Sequence, residues 1–317
     1  MRILVTGGAG FLGSSLVESL VKHGHAVIVI DNCWRGSKEN LRMVEDHITF
    51  IEGDACVSTT YEMISDPSSV DIVYHLAAIN GTKWFHEEPR MVMDVNLNST
   101  LRSLEFAEEN NCRYVFTSSP EAYGESEIMP LGGDEASVFP VSHEHQRHAY
   151  GASKYLGELA VQHSVRQGLD ARIVRPFNGY GPRLLGSEYG QVVAMMLQRA
   201  VQQGEIIVHG DGSQTRSLTY IDDLVRGIEA AGLVEGLEGM SLNLGSEEEC
   251  TMLDLAQRVA ELVGNETAQT VRIRYDQGHP GDSKRRLPNL DQTKKYLNWQ
   301  AHTTLADGLG QTLRSML

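Results

Sequence analysis

RILVTGGAGFLG, residues 2–13, runs from a short β-rich stretch through clustered glycines into an amphipathic segment that continues to His23. The glycines are spaced Gly7-x-x-Gly10-x-x-Gly13, after the strand and at the mouth of the helix. That is where a phosphate-cradling turn needs them. The turn requires positive φ, the backbone must come close to a pyrophosphate, and the helix N-terminus favours its negative charge. Gly7, Gly10, Phe11 and Leu12 are therefore candidate contacts to a dinucleotide. The competing reading is a tight turn between strand and helix with no ligand.

Working outward, the same rhythm repeats. RILVT (2–6), AVIVI (26–30), ITFIE (48–52), DIVYHL (71–76), RYVFTS (113–118) and ARIVRP (171–176) read as buried parallel strands. Between them lie helical patterns at 11–23, around 58–66 and at 92–110, the last with Val92, Val95, Leu97, Leu101 and Leu104 at helical spacing. Alternating β and α predicts an α/β fold, a doubly wound parallel sheet of the Rossmann type. After about residue 177 the connections lengthen. A helix around 190–203, a strand IIVHG, a helix from 221, a strand SLNLG and a helix from 251 read as a smaller C-terminal α/β lobe. The expected division is 1–176 for the dinucleotide-binding domain and 177–317 for the substrate lobe, with segments free to return to the first domain.

The 317 residues carry a net charge of −15 and no basic run, which argues against a nucleic-acid partner. Cys33, Cys56, Cys112 and Cys250 are scattered with no CxxC spacing, so free thiols in a reducing cytoplasm are expected and no metal. No signal peptide and no membrane span are read, and no membrane partner is expected.

Asp31 ends the second strand. A carboxylate there accepts hydrogen bonds from ribose hydroxyls and repels a 2′-phosphate, which favours NAD over NADP. Asn32 follows it, and Arg35 nearby leaves NADP open. Asp54 and Ala55, after the third strand, are placed to meet adenine, although Asp54 reads equally well as a helix cap. Leu76, Ala77 and Ala78 follow the fourth strand, and the two alanines either let the cofactor approach or simply pack. Tyr150 and Lys154 stand four apart on one helical face. A phenol is a poor base at neutral pH, with an unperturbed pKa of ~10. A nearby ammonium and an oxidised nicotinamide both favour the phenolate, and the pair then becomes an acid/base for oxidising an alcohol.

With these residues in hand, the chain resembles the extended short-chain dehydrogenase/reductases that act on nucleotide sugars, the epimerase/dehydratase group. The resemblance runs through TGGAGFLG, GDA, HLAA, Asn96-x-x-x-Thr100, SSPEAYG, YGASK, RPFNGYGPR, GDGSQTRSLTYIDDL, NLGSEEECTMLDLA and RRLPNL. It implies NAD as cofactor, with Asn96 and Thr117 among its contacts, and a nucleotide sugar, most simply UDP-linked, as substrate. By the same resemblance Ser119 hydrogen-bonds the reacting sugar oxygen, Tyr150 is the base and Lys154 its activator. Asn178, Arg183, Val208, Arg216 and Arg286 fall to the substrate, and the stretch TKWF, from Thr82 to Phe85, reads equally as lining of the sugar pocket or as packing. Relatives pair the helices near 92–110 and 150–167 into a four-helix bundle, so a homodimer is expected. Two rival readings are a non-catalytic dinucleotide sensor and an NADP-dependent ketone reductase.

Glu121 separates the chemistries. A 4-epimerase needs little beyond Tyr150. A 4,6-dehydratase uses an Asp-Glu pair after the active-site hydroxyl, and here the pair is Pro120-Glu121, without the aspartate. A uronic-acid decarboxylase keeps the glutamate alone. Decarboxylation of UDP-glucuronate is the leading reading, followed by 4-epimerisation and then dehydration. If residues 117–123 continue extended, Ser119 and Glu121 point to the same side; the competing reading turns the chain at Pro120 and leaves Glu121 in solvent. His143, His145 and His148 precede Tyr150 and read as an exposed loop or lid rather than a metal site.

Overall fold

The computed structural model describes residues 1–143, 148–184, 186, 191–277 and 285–317. β1 (Arg2–Thr6) leads into α1 (Phe11–Lys22), followed by β2 (Ala26–Asp31), β3 (Ile48–Glu52), α2 (Ser58–Tyr61), β4 (Ile72–His75), α3 (Thr82–Glu87), α4 (Pro89–Asn110), β5 (Arg113–Thr117), α5 (Ala149–Arg166) and β6 (Ala171–Pro176). The later elements are β7 (Gly179–Tyr180), α6 (Val192–Gln203), β8 (Glu205–His209), β9 (Thr215–Ser217), β10 (Thr219–Tyr220), α7 (Ile221–Leu233), β11 (Ser241–Leu244), β12 (Glu249–Thr251), α8 (Met252–Thr267), β13 (Arg272–Asp276), β14 (Arg285–Arg286), α9 (Asp291–Leu297) and α10 (Leu305–Arg314).

Seven parallel strands form one sheet in the order β3-β2-β1-β4-β5-β6-β11. Side chains alternate across it with period two. Ile3 and Val5, Val27 and Val29, and Ile72 and Tyr74 meet Leu16, Val17 and Leu20 of α1 and Leu224, Val225 and Ile228 of α7. The residues between them, Leu4, Ile28, Ile30 and Val73, meet Leu104, Phe106 and Ala107 of α4 and Val161 of α5. Burial on both faces is why these strands read as continuous apolar runs.

The expected doubly wound sheet is present, with one addition. SLNL, read above as part of the C-terminal lobe, is β11, and it pairs with β6 from Ser241↔Ile173 to Leu244↔Pro176. The remaining later strands make small sheets, β10-β7, β12-β9-β14 and β13-β8. The first core continues into them through Leu197 of α6, Ile206 and Val208 of β8, and Leu255 and Val259 of α8. Among the described residues, no helix is long and apolar enough to cross a membrane.

Candidate active site

The C-terminal ends of the strands open onto one cleft of about 1520 Å³, lined by Gly7, Asp31, Leu76, Thr117 and Asn178 from five successive strand ends or the residues after them. β1 is flanked by β2 on one side and β4 on the other, so the strand order reverses here and the crevice forms at that switch point.

At the β1 end, Gly7 has φ of +71°, and a Cβ there would lie 2.6 Å from the Ala77 backbone nitrogen. Only glycine lets the two loops meet so closely. Gly10, Phe11 and Leu12 also face the cleft at the N-terminus of α1. Asp31 accepts from the Ala9 amide at 2.9 Å and from the Cys33 amide at 2.7 Å. Burial pushes its carboxyl above the ordinary range, and those two amides act against the rise. Asn32, Asp54, Ala55, Leu76, Ala77 and Ala78 line the same wall. Asp54 accepts from the Cys56 amide at 2.8 Å, a local turn rather than the cap of α2, whose cap is Val57. Thr117 Oγ1 is buried with no hydrogen-bond partner, on the cleft wall. A glycine turn aimed at a helix N-terminus, a carboxylate at the end of the neighbouring strand β2 and an unsatisfied hydroxyl at the end of β5, on the other side of β1, are a set of groups that fits a dinucleotide lying across the strand ends.

Asn96 braces the wall that follows β4. Its Oδ1 accepts from the Ile79 amide at 2.7 Å and its Nδ2 donates to the Ile79 carbonyl at 3.2 Å, so it clamps the loop after β4 from behind the cleft.

The second corner gathers Ser119, Glu121, Tyr150 and Lys154 on the cleft wall. The chain does not stay extended after β5. Residues Pro120–Tyr123 form a single turn of 3-10 helix, with Ser119 as N-cap accepting from the Glu121 amide at 3.2 Å. Serine is a preferred cap and proline suits the first helical position, so Ser-Pro starts a turn and overrides strand continuation. The extended reading of 117–123 is therefore corrected, yet Glu121 still lies against the cleft. Gly151, the residue after Tyr150, allows the approach: a Cβ there would lie 2.3 Å from the Glu121 carbonyl oxygen.

Tyr150 is 5% exposed and stacks on Phe85 with ring centres 4.6 Å apart. Burial pushes its phenol up to about 12; a hydrogen bond with Ser119 works against that, Glu121 raises it further and the Arg35 guanidinium lowers it. Lys154 is 3% exposed. Its ammonium donates to the Thr117 carbonyl at 2.8 Å and lies 5.0 Å from the Phe116 ring centre. Burial pulls it down to about 7, opposed by Glu158. The protein by itself thus brings both groups to a site where charge is costly. A positive charge at the nicotinamide position would shift the phenol down.

On the substrate side, Asn178 lies on the wall with φ of 36° and donates to the Ser217 carbonyl at 2.9 Å. Arg216 also lines it. Arg183 lines it too, but its guanidinium is tied to Glu18 at 2.5 Å and Ser14 at 3.1 Å. Val208 is buried in the core, and its neighbours Ile207 and His209 face the cleft, as strand alternation requires. Arg286 is 3% exposed and stands behind Glu121: its Nη2 donates to the Gly124 carbonyl at 2.7 Å and lies 3.4 Å from Glu121 Oε2. The side chain of Thr82 and the whole of His145 lie outside the described residues. His143 is exposed, whereas His148 is buried and 3.1 Å from Glu125. Among the described residues no group of three or more potential ligands gathers for a metal.

Sequence reasoning missed several wall residues. His86 of α3 and Met91 of α4 line the cleft, and Arg35 bears on Tyr150; Lys83 and Phe85, from the 82–85 stretch read as pocket lining or packing, line it too. A basic residue four past the ribose-reading aspartate was the one available signal for Arg35.

Residues 3–245 match the NAD dependent epimerase/dehydratase family. UDP-glucuronic acid decarboxylase 1 of Arabidopsis thaliana is 34% identical over 313 residues, covering 98% of this chain and 68% of that protein. UDP-N-acetyl-alpha-D-glucosaminuronate decarboxylase of Bacillus cytotoxicus is 31% identical over 317 residues, covering 99% and 97%. The crystal structure of UDP-glucose 4-epimerase from Thermotoga maritima, with UDP-glucose, superposes with a TM-score of 0.89 at 30% identity, over 100% of this chain and 98% of that one. The chain belongs to the NAD dependent epimerase/dehydratase family. It is an enzyme, and NAD is its cofactor.

Proposed function

We propose that the enzyme modifies a UDP-linked sugar through transient oxidation at C4, and that its reaction is the decarboxylation of UDP-glucuronate. The observation that carries this reading is Glu121: a carboxylate on the cleft wall, in the turn capped by Ser119 and near enough to raise the Tyr150 phenol, backed by the buried Arg286, with proline where a dehydratase places its second acid. The curated relatives named above support it, since both are decarboxylases of UDP-linked uronic acids.

NAD, held by the turn at residues 7–12 and by Asp31, would supply a reversible hydride acceptor for C4. Ser119 orients the C4 hydroxyl, whose proton passes to Tyr150 as the C4 ketone forms. The uronate is then a β-keto acid. Its bond from C5 to the carboxylate breaks, carbon dioxide leaves, and the electron pair moves to the C4 oxygen as an enolate. A solvent proton reaches C5 through Glu121, and Tyr150 gives its proton back to O4. The buried Lys154 favours phenolate at Tyr150, and Arg216 and Asn178 are assigned to the diphosphate.

A panel of UDP-, dTDP-, GDP- and CDP-sugars incubated with enzyme and NAD tests this. Loss of carbon dioxide from UDP-glucuronate, read by mass, is the expected result. Loss of water or an unchanged mass with altered retention would point to a dehydratase or an epimerase.

The proposed assembly is a homodimer through α4 and α5. Met93 and Leu101 on α4, and Leu156 and Leu159 on α5, are each between 41% and 49% exposed, an apolar face left open on two packed helices. Leu159→Arg should turn a dimer into a monomer by light scattering; a monomeric wild type would refute the arrangement. The free cysteines fit a reducing compartment, and we place the protein in the cytoplasm.

A further inference from the structure

Glu158 lies one turn beyond Lys154 on α5 and is 5% exposed. Its carboxylate accepts from Arg175 Nε at 2.8 Å and Nη2 at 2.6 Å, and from Ser118 Oγ at 2.5 Å. The other edge of the Arg175 guanidinium donates to the Tyr123 hydroxyl at 2.7 Å and to the Gly133 carbonyl at 2.8 Å, and the guanidinium sits 4.5 Å from the Tyr123 ring centre. The Tyr123 hydroxyl in turn lies 2.8 Å from Asn243 Oδ1 on β11. One bidentate ion pair therefore joins the end of β5, the turn after it, α5 and β6, with Tyr123 passing the connection on to β11.

Burying such a pair costs desolvation, and hydrophobic replacements are often as stable, so stability alone is a weak reason to hold it. Each segment leaving the pair carries a cleft group. Ser118 precedes Ser119, Tyr123 ends the turn that holds Glu121, and Glu158 follows Lys154 at i+4. We infer that Glu158 and Arg175 are positioning residues of this active site, fixing Ser119 against Lys154 and setting the charge that Lys154 faces. The inference rests on the reading that Ser119, Tyr150 and Lys154 carry the proton transfer.

The surroundings of Lys154 explain the second part. On its own helix stand Tyr150 and Glu158. β5 presents the Thr117 carbonyl and the Phe116 ring. β4 presents His75, which burial holds neutral. Arg175 comes from β6 and is neutralised by Glu158. Glu121 and Arg35 act on Tyr150. Glu158 is thus the anion that opposes the effect of burial on the amine.

The test compares Ser118→Ala, Glu158→Gln and Glu158→Asp, with Tyr150→Phe as control. It uses the panel nucleotide sugar that the wild type converts, NAD, and nitrogen NMR of the Lys154 side chain. Ser118→Ala leaves the ion pair intact. It should lower kcat ~10-fold with KM and unfolding temperature near wild type, the scale of a small misplacement. Glu158→Gln should lower kcat ~10²-fold. It should also move the Lys154 titration midpoint and the alkaline limb of the pH profile to lower pH, and Glu158→Asp should restore part of both. An unmoved Lys154 midpoint in Glu158→Gln, or kcat within about twofold of wild type in Ser118→Ala, overturns the inference; if Glu158→Gln does not fold, Ser118→Ala decides. Retained turnover in Tyr150→Phe would instead remove the underlying reading. Lost turnover there, with unaffected Ser118 and Glu158 variants, removes the positioning role alone.

Discussion

Replacing Lys154 with methionine should abolish turnover and make the protein more stable, by an amount that depends on pH. Lys154 is 3% exposed, and burial lowers it from 10.5 to about 7. At ~1.4 kcal/mol per pKa unit, that fall sets roughly 5 kcal/mol against the buried ammonium. The folded state binds fewer protons than the unfolded chain between about pH 7 and 10.5, so stability rises with pH across that window. Below pH 7 the full cost is present, and at pH 9 about 2 kcal/mol of it remains. Methionine has a similar length and no charge. It also loses the hydrogen bond to the Thr117 carbonyl, about 1 kcal/mol, equally at both pH values. Tyr150, raised to about 12, titrates above this range and leaves the comparison undisturbed. At about 2 °C per kcal/mol, the unfolding temperature of Lys154→Met should exceed wild type more at pH 6 than at pH 9 by about 6 °C. The assay is thermal unfolding of both proteins at the two pH values, with kcat measured alongside. An advantage that does not change with pH would refute the reasoning, because the amine would then be charged throughout.

Tyr150→Phe should cut kcat by ~10²–10⁴ while leaving substrate binding nearly intact, as isothermal titration with the nucleotide sugar would show. Wild type should bind NAD at least ~10-fold more tightly than NADP, and Asp31→Asn should narrow the gap, because the repulsion between the carboxylate and a 2′-phosphate is gone. Equal affinity of the wild type for both would contradict the role given to Asp31. Glu121→Gln should still reduce bound NAD at close to the wild-type rate in a single turnover and then release product slowly, with NADH absorbance persisting. Normal product formation would make Glu121 a bystander and favour an epimerase.

Local signals were the ones the sequence made legible. Gly7, Gly10 and Asp31 sit at strand ends that periodicity locates, and Tyr150 and Lys154 share a helix face four residues apart. The turn at Pro120 was a contest between two local signals, strand alternation and a Ser-Pro cap, and the cap won. Asn96, Val208 and Arg286 carry the right residue types at familiar spacings, but which way each side chain points depends on packing partners far along the chain. Glu158 and Arg175 stand on different elements, and no spacing rule marks them as a bonded pair. β11 had the same difficulty, since a four-residue apolar run does not say which sheet it will join.

That late strand bears on how the protein emerges during synthesis. β6 is complete at Pro176, but the strand that covers its outer edge begins at Ser241. At about 5–20 residues per second, a growing chain carries an uncapped, apolar sheet border for on the order of 3–13 s. During that interval the border offers unpaired amides and carbonyls to any neighbouring strand, including those of other nascent copies on the same message. Chains terminated between 176 and 241 would keep the exposed border permanently, and they should collect in the insoluble fraction while the full-length product stays in solution.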